Sequence, residues 1–315
     1  IFKIFILTLI GKTGRTVEKN VVIFNGMHED PIEVDIEDGD YGDVTVPEEP
    51  VKEVEKTELQ LLAEDSERIN VLLMGLEGAR TDTIMLVSFD PEDKKVDIIS
   101  IPRDTYYYTE GYEKNDQRKI NAVYGRSKTK GVMMAVSDVL GVPVDHYVKV
   151  SYKAVEDIVD TIGGVEVNIP FKMDYDDPYA NPQLHIHFQP GKKLLNGEQS
   201  LEYLRFRKNN DGTHSDGDVG RVKRQQNFIK SAADKAMSIS KLPVVAKTVY
   251  KHVKTSMDID DVLRYATQAI GMSSKDIKMH TIPGTSVNKL GLSYYDHDKQ
   301  KTEELMIDIY KNDNN

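Results

Sequence analysis

Residues 204–226 read LRFRKNNDGTHSDGDVGRVKRQQ and set Arg205, Arg207, Arg221 and Arg224 on either side of a Gly/Asp/Asn loop. Guanidinium groups are planar forks that grip phosphate two-handed, so a concentration of them suits an anion. Arg205 and Arg207 stand two apart and share no helix face. At a helix end, or in extended chain, both can still aim at one point. Asp218 can cap the helix that follows, which places Arg221, Arg224 and Gln225 within its first two turns on one face. A helix N-terminus attracts anions through its free N–H groups and its dipole. Arginines there cost energy unless an anion is bound, and phosphate is the natural candidate.

Two further segments hold polar residues that packing does not explain. GLEGARTDT, residues 75–83, follows a β-rich run and presents Glu77, Arg80 and Asp82. Loops at the carboxyl ends of strands are preferred ligand sites in α/β folds. Carboxylates close together repel unless a cation lies between them, and such hard oxygen donors favour Mg²⁺ (or Mn²⁺) with phosphate oxygens completing the shell. A solvated turn with a local Arg–Asp pair explains the same residues. SIPRDTYYY places Arg103 and Asp104 at the exit of a second strand, and QRKINAVYG adds Arg118. A surface salt bridge is the plain alternative there.

Other signals are weaker. His185 and His187 (LHIHF) share one face of a strand and could hold a metal, but no third ligand stands at a recognisable spacing. The GKTG near the N-terminus lacks the earlier glycine of a phosphate loop, since that position is Ile6. Without a basic stripe or a helix-turn-helix pattern, nucleic acid is not an expected partner. The absence of cysteine excludes disulfides, zinc–thiolate sites and thiol catalysis.

The elements that must position these residues begin near residue 69. The formal net charge is −11, yet residues 28–68 alone hold sixteen Asp/Glu against three Lys/Arg. The remainder is therefore close to neutral. Residues 11–68 read as an acidic linker, largely disordered, because they carry too few large apolar groups to offset ordering. IFKIFILTLI, residues 1–10, reads as the remnant of an N-terminal membrane anchor or signal segment. From residue 69 onward strand-like runs (69–75, 83–90, 95–101, 146–150, 165–170, 276–284) alternate with helical ones (130–140, 151–162, 197–206, 219–238, 260–270, 301–312). That alternation argues for a three-layer α/β/α domain, its central mixed sheet flanked by helices. Strand order is not set by the sequence.

INVLLMGLEGARTDTIMLVSF, IISIPRDT, KINAVYG, DIVDTIGGVEVNIP, LNGEQSLEYLRFR and GDVGRVKRQQ occur in this order across residues 69–238. Together they resemble the LytR–CpsA–Psr family of bacterial cell-envelope proteins, in its LytR-type form. The resemblance implies a single-pass cell-membrane protein whose catalytic domain (69–315) lies outside the cytoplasm. It implies transfer of an anionic glycopolymer, teichoic acid or capsule, from an undecaprenyl-pyrophosphate carrier to peptidoglycan, with the prenyl tail in an apolar tunnel. By the same resemblance Asp82 and Glu77 match the metal-binding positions, although Glu77 stands where aspartate is commoner. Arg80 and Arg103 match phosphate-facing arginines; Arg205, Arg207, Arg221 and Gln225 match the group that grips the pyrophosphate, with Arg118 beside them. Asp82 or Asp104 could serve as general base. A pyrophosphatase, with water replacing the sugar hydroxyl, and a non-catalytic polyprenyl-phosphate binding module are the competing readings.

Overall fold

A computed structural model describes residues 56–311, save 181, 215–216, 238–245, 248 and 290. The side chains of Glu77 and of residues 217–219 and 237 lie outside that description, as do residues 1–55, where the expected anchor remnant and most of the acidic linker fall.

Strands β1 (Ile69–Glu77) and β2 (Arg80–Asp90) form an antiparallel hairpin that turns through Gly78, whose φ of 60° suits glycine. β3 (Lys95–Ser100) returns antiparallel to β2, as the turn-like PEDKK suggests. β4 (His146–Val150) lies parallel to β1, and β10 (Ile277–Thr281) parallel to β3. With the short β9 (Lys254–Thr255) they make one six-stranded mixed sheet in the order β10-β3-β2-β1-β4-β9.

Strand alternation divides the core in two. Val71, Leu73, Met85 and Val87 face one side, and Leu72, Met74, Ile84 and Leu86 face the other. On the first side lie α3 (Tyr152–Thr161), α4 (Gly197–Arg205), α5 (Gly217–Met237) and α6 (Ile259–Gln268). On the second lie α1 (Glu58–Asp65), α2 (Val123–Leu140) and α7 (Lys299–Lys311). The fold is therefore the expected three-layer α/β/α arrangement with a central mixed sheet. Small antiparallel pairs stand outside the main sheet: β5 (Val165–Ile169) with β8 (Gly191–Leu195), β6 (Met173–Asp177) with β7 (Leu184–Phe188), and β11 (Gly284–Lys289) with β12 (Leu292–His297).

Three departures have local causes. The expected linker ran to residue 68, but α1 is a formed helix in which Thr57 and Gln60 make a capping box and Leu59 is buried in the second core. Its acidic composition hid that capping signal. The helix expected at 130–140 begins at Val123 and is broken by Lys128, whose φ of 52° and ψ of −152° are not helical. It ends, as expected, at Gly141 in the left-handed region (φ 73°). Finally, α5 begins at Gly217, so Asp218 lies inside its first turn rather than at the cap.

Candidate active site

β1, β3 and β4 run in the same direction, and their carboxyl ends meet at one edge of the sheet. Gly75, at the end of β1, sits beside a shift in register, and a Cβ there would come within 3.2 Å of the Thr83 Cβ. Asp82 stands opposite on β2. Arg103 follows β3 in a turn tied by Thr105 N–H donating to the Pro102 carbonyl (2.9 Å) and Asn121 N–H donating to the Arg103 carbonyl (3.2 Å). Its guanidinium donates to Asp82 Oδ1, and Arg207 Nη2 lies 3.7 Å from Oδ2.

These groups form one end of a cavity of about 420 Å³ between the first face of the sheet and α3, α4 and α5. Asp82, Arg103, Arg205, Arg207, Arg221 and Gln225 line the polar end, while Leu73, Met85, Val150, Val155, Leu184, Leu201, Leu204, Phe228 and Ile229 supply apolar wall. The segment 204–226 works as its spacing allows. α4 ends at Arg205, and Phe206 leaves the helix at φ −54°, ψ 137°, buried beneath. Arg205 and Arg207 thus reach the same cavity from a helix end and an extended chain. Arg221 and Gln225 are one turn apart on α5 and face inward together.

Burial alone would push the Asp82 carboxyl up, but Arg103, by charge and hydrogen bond, and the charges of Arg221 and Arg207 outweigh it. The net effect holds Asp82 below the usual carboxylate value of 3.8. The cavity lining therefore sets four guanidinium groups against two carboxyl groups, Asp82 and Asp177, an excess of cations that suits an anionic ligand.

Residues 40–309 match the model of the LytR_cpsA_psr family. The chain belongs to the LytR–CpsA–Psr family. This LytR–CpsA–Psr protein is 32% identical over 271 residues to the polyisoprenyl-teichoic acid–peptidoglycan teichoic acid transferase TagU of Bacillus subtilis (strain 168), spanning 84% of this chain and 82% of that one. The enzyme of the same name from Enterococcus faecalis (strain ATCC 700802 / V583) is 29% identical over 274 residues, 83% of this chain and 84% of that one. Among solved structures, B. subtilis TagV superposes with a TM-score of 0.66 at 28% identity, covering 78% of this chain and 96% of that one. TagT bound to LIIa-WTA shares the fold, with a TM-score of 0.62 at 24% identity over 84% of this chain and 95% of TagT.

Within the LytR–CpsA–Psr domain not every sequence candidate reaches the cavity. Arg80 points outward, donating to Asp116 Oδ2 (2.9 Å) and Asn121 Oδ1 (3.4 Å). Asp104 pairs with Lys119 Nζ (3.0 Å), and Arg118 with Glu113 Oε2 (2.8 Å), both off the cavity lining. Glu77 ends β1 beside Asp82's hairpin, with its side chain outside the described residues. Arg224 is buried and turned away: its Nε donates to the Tyr203 carbonyl (3.0 Å) and its Nη2 to the Phe206 carbonyl. Burial pushes it down to about 10, still cationic at neutral pH. It is a clamp on the end of α4 rather than an anion ligand. Sequence reasoning missed Tyr152, Tyr175, Asp177 and Tyr179, which also line the cavity. Only Tyr152 carried a signal, as the first residue after the Ser151 cap of α3.

Proposed function

We propose that this protein transfers a teichoic-acid-type glycopolymer from a polyprenyl-pyrophosphate carrier to peptidoglycan, leaving a phosphodiester. The observation that carries the proposal is one cavity whose lining joins a broad set of apolar side chains to arginines gathered about Asp82. An isoprenoid pyrophosphate has that same division of character. The named activities of the relatives, and the wall-teichoic-acid ligand of TagT, support the same substrate class.

In the proposed reaction an acceptor sugar hydroxyl forms a bond to the phosphorus that carries the glycopolymer. The bond from that phosphorus to the bridging oxygen breaks, polyprenyl monophosphate leaves with the electron pair, and the hydroxyl proton passes to solvent. Arg103, Arg205, Arg207 and Arg221 hold the phosphates and balance charge that grows on the leaving oxygen. Gln225 adds a neutral donor. The apolar walls fix the prenyl chain and keep water from the phosphorus.

Asp82 is held ionised among Arg103, Arg221 and Arg207 and sits beside the phosphate-binding arginines. That donor set fits a Mg²⁺ that takes one protein carboxylate and phosphate oxygens, with Glu77 the candidate that the sequence offers for a second. Bound there, Mg²⁺ would neutralise phosphate charge. A carboxyl held below its usual value is a poor proton acceptor and a good cation ligand, so Asp82 acts as ligand rather than base. Little base catalysis is needed where the transition state is loose. An N-terminal membrane anchor, with the catalytic body outside the cytoplasm, completes the proposal. No helix among the described residues is long and apolar enough to cross a membrane.

The test incubates the purified protein with a lipid-pyrophosphate-linked glycopolymer and peptidoglycan fragments, and follows products by mass spectrometry with Mg²⁺ or with chelator. A metal-dependent phosphodiester, lost in Asp82→Ala and in Arg221→Ala, is the expected result. Release of free glycopolymer phosphate without acceptor product would mean a pyrophosphatase. Bound lipid with no product in any condition would mean a binding module.

A further inference from the structure

The β6–β7 pair has two unlike faces. Met173, Leu184, Ile186 and Phe188 are buried toward the core, and Tyr175 and Leu184 line the cavity. The other face is polar and exposed, and register decides what stands on it. Asp174 pairs with His187, and Asp176 with His185. Because alternate residues of a strand share a face, these four side chains form a square grid on one surface. The sequence showed the two histidines but not β6, whose MDYDD run is too acidic to read as a strand; the carboxylates therefore went unseen as partners.

The donor atoms are already gathered. His187 Nδ1 lies 2.9 Å from Asp174 Oδ1, and its Nε2 lies 3.4 Å from Asp176 Oδ1. His185 Nδ1 lies 2.8 Å from the same Asp176 oxygen. One ligand atom from each of Asp174, Asp176 and His187 falls within 4.8 Å of the others. Tetrahedral zinc with ligands at about 2.0–2.1 Å needs donors roughly 3.3 Å apart, so small side-chain rotations suffice. Lys172 Nζ contacts Asp174 Oδ2 at 2.5 Å, leaving Oδ1 on the histidine side.

We propose that Asp174, Asp176, His185 and His187 form a surface site for a divalent transition metal, of which Zn²⁺ is the natural occupant. Imidazole nitrogens select against Mg²⁺ and Ca²⁺, which prefer an all-oxygen shell, and carboxylates complete a borderline set suited to Zn²⁺. The ion takes the place of the imidazole–carboxylate hydrogen bonds, each neutral ring offering the metal its unprotonated nitrogen and keeping its N–H on the other. The site is separate from Asp82, whose carboxylate faces the cavity on the other side of this pair. Occupancy would tie β6 to β7 by their side chains as well as their ladder, directly behind the cavity wall formed by Tyr175 and Leu184.

The full chain, stripped with chelator and dialysed, is titrated with ZnCl₂ by calorimetry in parallel with MgCl₂. We expect a Zn²⁺ event that MgCl₂ does not compete away, and histidine ring signals of His185 and His187 that move together. His187→Gln and Asp176→Asn should each weaken it by about tenfold or more, on the scale of losing one ligand interaction. All of these side chains are exposed, so the variants should fold, which circular dichroism checks. Asp82→Asn should bind Zn²⁺ as the parent does. Zn²⁺ binding that survives the double change His185→Gln/His187→Gln, or no Zn²⁺ event in the parent, overturns the proposal.

Discussion

Asp82 and Arg224 show how two charged residues in neighbouring segments acquire opposite jobs. Asp82 is held ionised by Arg103, Arg207 and Arg221 at the cavity, so its value lies in charge presented to a ligand. Asp82→Asn keeps the shape and removes that charge. We expect transfer to fall by about 10²–10³-fold, as for loss of one group that stabilises transition-state charge, while lipid binding persists. Its folded-state carboxyl titrates below the ordinary 3.8, so the ion pair's contribution to stability is whole above that value and is lost as pH falls through the folded one. Urea denaturation across a pH series should therefore give parallel curves for parent and Asp82→Asn above about pH 5, converging only in stronger acid. Convergence near neutral pH would show that Asp82 is not held low. Spacing made the inward set of Arg205, Arg207, Arg221 and Gln225 legible, because a helix end followed by a helix face has few ways to aim them. It could not separate them from Arg80, Asp104 and Arg118. Those three are taken by Asp116, Lys119 and Glu113, and such ion pairs leave no periodicity to read.

Arg224 acts on an element. By donating to the Tyr203 and Phe206 carbonyls it closes the C-terminal turn of α4, the turn that sends Arg205 and Arg207 in their two directions. Arg224→Met fills the space but leaves those carbonyls without their donor. We expect a loss of about 1.5–3 kcal/mol in chemical denaturation, the range for hydrogen bonds to a charged group, with a weaker Michaelis constant for the lipid substrate. An unchanged denaturation midpoint would refute the clamp. The other end of α4 is fixed by contact. Gly197 follows the Asn196 cap, and a Cβ there would lie 2.4 Å from the Glu156 carbonyl oxygen on α3. Gly197→Ala must therefore push α4 off α3, and we expect it to cost about 1–3 kcal/mol by the same assay. The helical run at 197–206 was legible, and its start is fixed in NGEQ, where Asn196 and Gln199 satisfy each other's backbone. The short pairs β5–β8 and β6–β7 were only partly visible. Strands of five residues with lysine or aspartate on the outer face carry too little apolar alternation to stand out, and their pairing joins segments that sequence order does not place together.

At the scale of the molecule, the sheet presents one face to the cavity and packs a second core against the other, and α1 belongs to the second. Leu59 is 2% exposed and packs with Leu72, Val139, Leu140 and Ile309, while Lys311 Nζ meets Glu58 Oε1 at 2.6 Å. A reading by composition assigns this helix to the acidic segment, since three of its eight residues are acidic. Burial assigns it to the body. The two readings differ in what a chain starting at residue 69 should do. If α1 were part of a solvated linker, removing it would leave thermal unfolding unchanged. Because Leu59 fills a place in the second core, its removal leaves a hollow against Leu140 and Gly141, at a cost of about 2–5 kcal/mol, as for deleting a buried leucine. For a body of this size that corresponds to a melting temperature lower by several degrees, at about 2–4 °C per kcal/mol. Calorimetry of chains beginning at residues 56 and 69, with Leu59→Ala in the longer one, makes the comparison. The lost stability should appear in the shorter chain and largely in Leu59→Ala. Since α1 lies across the sheet from Asp82 and the arginines, lipid affinity below the transition should stay the same in all three.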